Sequence, residues 1–570
     1  MFRTMAVALG MVLAAGGVNV RPQGSQSAAV DEIFKEFAAP GSPGCAVGAY
    51  QGARVVYRAA YGMANLDHDV RLSPSSVFHV ASVSKQFTAA AILLLSADGK
   101  LSLDDEVRKF IPELPDFGQR ITIRHLAHHT SGIRDQWDLL GLAGWRYSRD
   151  LITDDDVLQM LSKQKDLNFT PGDQHLYSNS GYTLLAVVVS RASGKSFREF
   201  TTERIFKPLG MASTFFRNNF NEVVKGQAYG YARAGAGFRL SVTNFDTAGA
   251  TSLMTTVEDL AKWHANFDSG AVGGPAMLAA LLTRGVLNDT RSIDYAFGIS
   301  HGAYRGVPTV GHGGSDAGYR SAYLRFPGQG FGVSVLCNLA SANPALLAQR
   351  VADVYLAGVL GPASATKPDD RPEVPVPAAE LQAIAGLYWN AAEVLQRRFV
   401  FQDGKLHLVT PALVAMKPIG GGRFLTTGAG APVHVAFDVA ARPIRATITP
   451  PSGLIEQLER AEPYVPSIAK LSEFSGTYHS EEIDPPYRMV VRDGTLRLER
   501  LKAPSAMLVP LVIDTFTSPI GVIRFTRDSS GRISGFVLDG ARIRRMKFAK
   551  DQSRSAADAR HEREPLPGPP

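Results

Sequence analysis

The sequence predicts a mixed α/β domain over residues 29–360, followed by two small all-β antiparallel domains over 380–465 and 466–550. Three observations predict it. Helical and strand patterns intermix as far as about residue 360, where a Pro- and Ala-rich stretch interrupts them. Beyond it the texture changes to short alternating runs with Asp-Gly turns, as in small antiparallel barrels. An internal repeat runs through that region. ELQAIAGLYWNAAE at 380–393 aligns with KLSEFSGTYHSEEI at 470–483, and Asp403-Gly404 aligns with Asp493-Gly494 at the same offset of 90.

The elements follow in order. One early Arg3, an uncharged apolar stretch from Met5 to Gly17 and small residues at 14–16 describe a secretory signal peptide, with a spacer taking it to residue 28. The expected address is periplasmic or extracellular. Cys45–Tyr57 reads as a strand, a turn and a second strand, and residues 82–97 read as a helix closed by Gly99. Tyr319–Phe326 and Phe331–Leu336 are strands around Pro327-Gly328-Gln329-Gly330, a hairpin signal. A helix from Pro344 to Leu360 follows, with Asn343 as N-cap. Residues 361–379 form a semi-extended Pro-rich linker, and 551–570 a charged, then Pro-rich, disordered tail.

Composition excludes several classes. Hydrophobic residues make up 45%, charged residues 20% and aromatics 9%, which excludes collagen-like, coiled-coil and wholly disordered chains. Two cysteines, Cys45 and Cys337, exclude a disulfide scaffold and any cysteine-built metal centre. The formal charge of +7 is small for this length, and no basic run carries interleaved aromatics, so no nucleic-acid partner is expected. Residues 466–570 hold 17 Lys+Arg against 13 Asp+Glu, an excess expected to lie away from the chemistry. After the N-terminal stretch no run reaches the ~18 apolar residues of a membrane span. No phosphate loop or dinucleotide fingerprint follows a strand, so no cofactor is expected; oligomeric state is not legible.

The chemistry-bearing segment is His79-Val80-Ala81-Ser82-Val83-Ser84-Lys85. A helix beginning near Ser82 puts Lys85 one turn later on the same face. The positive end of the helix dipole stabilises an alkoxide on Ser82 and destabilises a nearby ammonium, and a neutral lysine can take the serine's proton. Alone, the pair is equally an N-capping serine beside a solvated lysine. Two further pieces accompany it. Tyr177-Ser178-Asn179, just ahead of a helical pattern, offers a phenol to shuttle a proton and an amide to orient a lysine or a substrate amide. In Gly311-His312-Gly313-Gly314-Ser315, adjacent glycines allow close backbone approach, and a following N–H can enter an oxyanion hole. A core tyrosine, a turn asparagine and a glycine-rich hairpin entry would have to coincide, in this order, for the three to mean nothing.

With SVSK at 82–85, YSN at 177–179 and HGG at 312–314, the chain resembles the serine β-lactamase and penicillin-binding-protein superfamily, in its class-C-like branch of esterases and D-aminopeptidases. The segments PGCAVGAY (43–50), ITIRHLAHHTSGI (121–133), TTVEDLAKW (255–263) and GVSVLCN (332–338) extend the resemblance over about 330 residues. It implies a five-stranded antiparallel sheet flanked by helices, a helical subdomain, and Ser82 at their junction. Ser82 would form an acyl-enzyme, Lys85 and Tyr177 would share its proton with either as base, and Asn179 would bond Lys85 or the substrate's amide. The N–H groups of Ser82 and Ser315 would form the oxyanion hole. His312 stands where many relatives carry the Lys of a Lys-Thr-Gly motif. Because His is largely neutral near pH 7, this disfavours β-lactams and C-terminal carboxylates and favours esters, amides and free-amine substrates.

The expected function is a secreted serine hydrolase of small esters or amides, in its sharpest form a D-aminopeptidase acting on a small molecule or short peptide. A D,D-carboxypeptidase or β-lactamase, and a sensor that acylates without turnover, are the alternatives. The resemblance sets Cys45 and Cys337 on neighbouring strands, leaving a disulfide and two buried thiols both open. His125, His128 and His129 have metal-like spacing but no His-Glu-x-x-His arrangement, and no metal is expected. Bacterial D-aminopeptidases share the three-domain layout, and a loop from their β domains reaches the cleft. Here the candidate is Ser480–Arg488, whose Glu481, Glu482 and Asp484 would either meet a substrate ammonium or form a solvated acidic turn.

Overall fold

The computed structural model describes residues 23–362, 371–410, 412–427, 432–450 and 455–551. The leader as far as residue 22, the linker's 363–370 and the tail from 552 lie outside the described residues. Within the expected spacer the chain is already helical: α1 (Gln23–Phe34) begins there, and its Val30 and Phe34 are fully buried.

Apolar, β-prone runs from the two ends of the first domain build one antiparallel sheet. Its strands are β1 (Cys45–Gln51), β2 (Arg54–Tyr61), β3 (Ser300–Tyr304), β4 (Val307–Asp316), β5 (Tyr319–Phe326) and β6 (Phe331–Cys337), in the spatial order β3-β4-β5-β6-β1-β2. The resemblance implies five strands. The sixth, β3, is joined to β4 by Arg305-Gly306, both at positive φ (49° and 81°), the geometry of a two-residue hairpin. Along β1, Cys45, Val47 and Ala49 pack with α1 and with α5 (Pro344–Tyr355), while Ala46 faces the helical side. Both faces are therefore covered, which is why this strand reads as an unbroken apolar run. On the helical side lie α2 (Lys85–Ala97), α3 (Asn179–Ser193) and α4 (Val257–Ser269). Asn343 caps α5 by accepting from Leu346 N–H, and the helix ends at Tyr355, short of the expected Leu360.

The repeat is realised in matched hydrogen bonds and turns. Eight strands between Gly386 and Ala461 form a closed antiparallel barrel. A short helix, Ala378–Ile384, precedes it, and Tyr388 donates its hydroxyl to Ile384 O at 2.9 Å. In the next unit Tyr478 donates to Phe474 O at 2.7 Å after the helix Ile468–Ser472. Asp403 and Asp493 share a φ of 51°, and Gly404 and Gly494 follow at 75° and 71°, so both Asp-Gly pairs make the same tight turn. The second unit differs in its fourth strand, which is broken into Ala506–Met507 and Val509–Val512 and leaves the barrel unclosed.

The second β unit seats directly on the helical side of the first domain, and the two share one hydrophobic cluster. Tyr487 donates to Leu142 O at 2.9 Å, and the buried Arg134 pairs with the buried Glu482. Breaking such a buried pair costs about 3–5 kcal/mol, because one charge is left uncompensated.

Cys45 lies directly opposite Cys337 in the β1–β6 register, and the two are disulfide-bonded across a separation of 292 residues. Replacing both by serine is expected to cost about 2–5 kcal/mol, because the bond restrains a long loop of the unfolded chain. The check is the urea midpoint of the oxidised protein against the double variant; coincident curves would show that the bond contributes nothing.

Candidate active site

Ser82 lies in a 3₁₀ turn, Ala81–Ser84, that runs straight into α2. The turn is entered through Ala81 at a φ of 49°, and Ala81 N–H is held by His79 Nδ1 at 3.2 Å. Ser84 turns its hydroxyl back to Ala81 O at 2.5 Å and accepts from Leu253 N–H at 3.1 Å, tying the turn to the 249–253 loop. Lys85 follows one turn on and is completely buried. Its Nζ lies 3.0 Å from Ser82 Oγ, 2.9 Å from Asn179 Oδ1 and 2.7 Å from Ala250 O. Burial drives its pKa down to about 7, against the pull of the Asp316 and Asp135 carboxylates, and the Arg542 guanidinium lowers it further. A neutral amine has two N–H groups and one lone pair. Asn179 Oδ1 and Ala250 O can only accept, so the N–H groups go to them and the lone pair faces the Ser82 hydroxyl.

Tyr177 and Asn179 arrive together at the start of α3. The Tyr177 ring lies 4.8 Å from Lys85 Nζ and packs 4.2 Å from the His129 ring. Burial pushes its phenol well above the usual tyrosine value, so the hydroxyl stays protonated. Asn179 donates from its backbone N at 2.7 Å and from Nδ2 at 2.9 Å to the same oxygen of Asp135. Those bonds turn its carbonyl oxygen toward Lys85. Asp135 is fully buried at the N-cap of the helix Gln136–Leu142; burial raises its carboxyl, while Arg542 and the Asn179 donors pull it back.

His312, Gly313, Gly314 and Ser315 lie on β4. A side chain at Gly314 would place Cβ 2.3 Å from both Val80 O and Ser321 Oγ, so only glycine lets the strand lie this close to the Ser82 turn. His312 Nε2 is 3.1 Å from the Tyr295 hydroxyl, and Nδ1 faces Gly313 O. Burial, with Lys85 nearby, holds its pKa down to about 4, so the ring is neutral. The carbonyl takes the Nδ1 proton and Nε2 accepts from Tyr295. Asp316 ends the strand, accepting from the Thr251 and Tyr147 hydroxyls, with its carboxyl raised by burial.

Ser82, Tyr177, Asn179 and His312 to Ser315 line one cleft of about 750 Å³, with Lys85 beneath it. Trp137, Tyr147, Thr251, Asp316, Arg320 and Arg542 complete the lining, and none of these is marked by a local motif. A second cavity of about 750 Å³, at the mouth of the closed barrel, is lined by no serine, cysteine or lysine. One open alternative is decided and one expectation is corrected. The acidic stretch Ser480–Arg488 does not enter the cleft: Glu482 is taken by Arg134 and Asp484 by Lys163, and Glu481 lies near Lys165. Arg542, from the turn at 540–545, lines the cleft, so part of the C-terminal basic excess sits in it. The histidines are structural: His125 completes a capping box with Thr122, His128 packs on Phe297, and His129 accepts from Ser178 N–H.

The sequence profile of the β-lactamase family matches residues 30–356. A D-aminopeptidase of Gluconobacter oxydans is 28% identical over 325 residues, 57% of this chain and 61% of that protein. Penicillin-binding protein 4* of Bacillus subtilis is 30% identical over 293 residues, 49% of this chain and 64% of that protein. The chain thus spans a little over three-fifths of the length of these two relatives. A D-aminopeptidase of Cereibacter sphaeroides is 25% identical over 458 residues, covering 79% of this chain and 82% of that protein. The octameric penicillin-binding protein homologue from Pyrococcus abyssi shares the fold, with a TM-score of 0.52 at 23% identity over 76% of this chain and 99% of that one.

Gly314→Ala should displace β4 from Ser82 by a few tenths of an ångström or more. A misplacement of this kind is expected to lower kcat/KM about 10²-fold. Steady-state kinetics on any ester the wild type turns over checks this, and unchanged kinetics would refute the close-approach argument.

Proposed function

The chain belongs to the β-lactamase family, and on that premise we propose that it is a serine hydrolase working through an acyl-enzyme on Ser82, with small D-aminoacyl amides and esters as substrates. The observation that carries the reading is the buried Lys85 amine, 3.0 Å from Ser82 Oγ with Asn179 Oδ1 and Ala250 O as its other partners, so that in the neutral form its lone pair is left for Ser82. Lys85 takes the Ser82 proton as Oγ bonds the substrate carbonyl carbon. The N–H groups of Ser82 and Ser315 stabilise the oxyanion. Tyr177, protonated and beside Ser82, hands its proton to the leaving amine or alkoxide as the scissile bond breaks, and recovers one from Lys85. Water then repeats the sequence on the acyl-enzyme, releasing the acid and restoring Ser82.

Substrate class rests on charge. A neutral His312 supplies no cation for a substrate carboxylate, and the two arginines of the lining are engaged, Arg320 by the Ala317 and Tyr319 carbonyls and Arg542 by Asp135 and Asp138. This fits the D-aminopeptidases among the relatives. The disulfide suits an oxidising compartment, and with the apolar N-terminal stretch it supports export to the periplasm or beyond. Among the described residues no helix is long and apolar enough to cross a membrane.

Purified protein and a Ser82→Ala control, run on nitrophenyl acyl esters, D- and L-alanyl anilides and a chromogenic cephalosporin, test the proposal. We expect Ser82-dependent turnover of esters and of D-alanyl over L-alanyl anilide. Cephalosporin turnover alone would sink the aminopeptidase reading, and a persistent acyl adduct by mass spectrometry without turnover would support a sensor instead.

The pH dependence has a definite sign. Only neutral Lys85 accepts a proton, so kcat/KM should fall about tenfold per unit below pH 7 and level off above it. A flat profile between pH 5 and 8 would exclude Lys85 as the base.

A further inference from the structure

Arg542 is carried into the cleft by the turn that joins the last two strands of the second β unit, Ile533–Asp539 and Met546–Lys550. Both its backbone and its side chain are engaged. Its N–H donates to Asp138 at 3.0 Å, and its carbonyl accepts from Asp135 N–H at 3.3 Å and from Asn168 Nδ2 at 3.0 Å. Its guanidinium lies 3.1 Å from Asp135 Oδ2 and 3.3 Å from Asp138 Oδ1. That Asp135 oxygen also receives both Asn179 donors, and Asn179 Oδ1 receives Lys85. An unbroken polar chain therefore runs from the C-terminal domain to the nucleophile: Arg542, Asp135, Asn179, Lys85, Ser82.

We propose that Arg542 is a positioning residue of the acylation site, through which the C-terminal domain holds Asp135, Asn179 and Lys85 in place beside Ser82. This rests on the acylation chemistry given above. A fully buried carboxylate needs a counter-charge, and Arg542, about 70% buried, is the cation in contact with it. Lys85 is also faced by Asp316 from β4, His312, His129, and the Tyr177 and Tyr182 rings. Of these, the carboxylate favours the ammonium and the histidines are neutral. Arg542 is thus the permanent cation that opposes a proton on Lys85. Its removal lets Lys85 hold its proton more tightly while Asp135 stays ionised, which pushes the active form to higher pH; a protonated Asp135 would take away one of the carboxylates that favour the ammonium and move the limb the other way.

The test reads the nucleophile directly, without needing the natural substrate. The rate at which a fluorophosphonate probe labels Ser82 is followed from pH 5 to 9 in the full-length wild type, Arg542→Gln, Arg542→Lys and Arg544→Gln, with Ser82→Ala as blank. Arg544 lies in the same loop but donates to Gln174, not to Asp135. Arg542→Gln should shift the acid limb up by about one unit, with labelling about tenfold slower at pH 6 and nearly normal at pH 9. Arg542→Lys should restore the limb, and Arg544→Gln should leave it in place. Arg542→Met is carried alongside, with melting curves on all variants, in case the glutamine variant does not fold. A limb that stays put in folded Arg542→Gln or Arg542→Met, an equal slowing at every pH, or the same shift in Arg544→Gln would overturn the proposal. Absence of Ser82-dependent labelling in the wild type would instead sink the acylation chemistry, and this inference with it.

Discussion

The cleft is organised around a buried amine. An ammonium sealed away from water is costly, and the protein meets that cost partly with hydrogen bonds and partly by letting the proton leave. Each partner of Lys85 comes from a different element: Ser82 from its own turn, Asn179 from α3 and Ala250 from the 249–253 loop. Each is then fixed by something else. Asp135 holds Asn179, the Thr88 hydroxyl on α2 holds Gly249 O beside Ala250, and Ser84 holds Leu253. Loosening any of them would readmit water or let the amine turn, and either would favour the charged form.

Local spacing carried much of this. Ser82 and Lys85 share a helix face, Tyr177 and Asn179 are two residues apart, and the glycines of β4 are adjacent, so the sequence brings each group of atoms near without help from tertiary structure. Asp135, Thr251, Asp316 and Arg542 carry no such mark, because each joins the cleft's hydrogen-bond network only through a partner far along the chain. Asp135 and Asn179 are 44 residues apart, and Arg542 and Asp138 are 404. The same division holds for the fold. Asp-Gly turns and tyrosines at matched positions betrayed the repeat, whereas the break in the fourth strand of the second unit lies in sequence that still alternates. The acidic stretch Ser480–Arg488 shows the converse hazard. Its carboxylates suit an ammonium, and the ammonium and guanidinium groups they found belong to Lys163 and Arg134 of the same chain.

The two β units, though copies in architecture, are not equivalent in placement. The closed barrel keeps a hydrophobic cluster of its own. The other unit merges its cluster with the first domain and lays Tyr487, Glu482, Arg542 and Arg545 across the helical side. Duplication supplies two similar shells. Only in one copy does the turn before the last strand become an arginine-rich arm, Arg542-Ile543-Arg544-Arg545, that holds the neighbouring domain.

The sheet also has a seam. β1 and β6 lie side by side, yet nearly three hundred residues, including the whole helical side, are synthesised between them. As the chain emerges from a ribosome, β1 and β2 can form only an isolated hairpin with its apolar edge open, and isolated hairpins are marginal in water. The hydrophobic core around α2 must then wait for β4, β5 and β6 before it is roofed. Such a chain is exposed to mispairing for about half of its own synthesis, and a truncation anywhere before residue 307 removes β4, the strand that packs against the Ser82 turn.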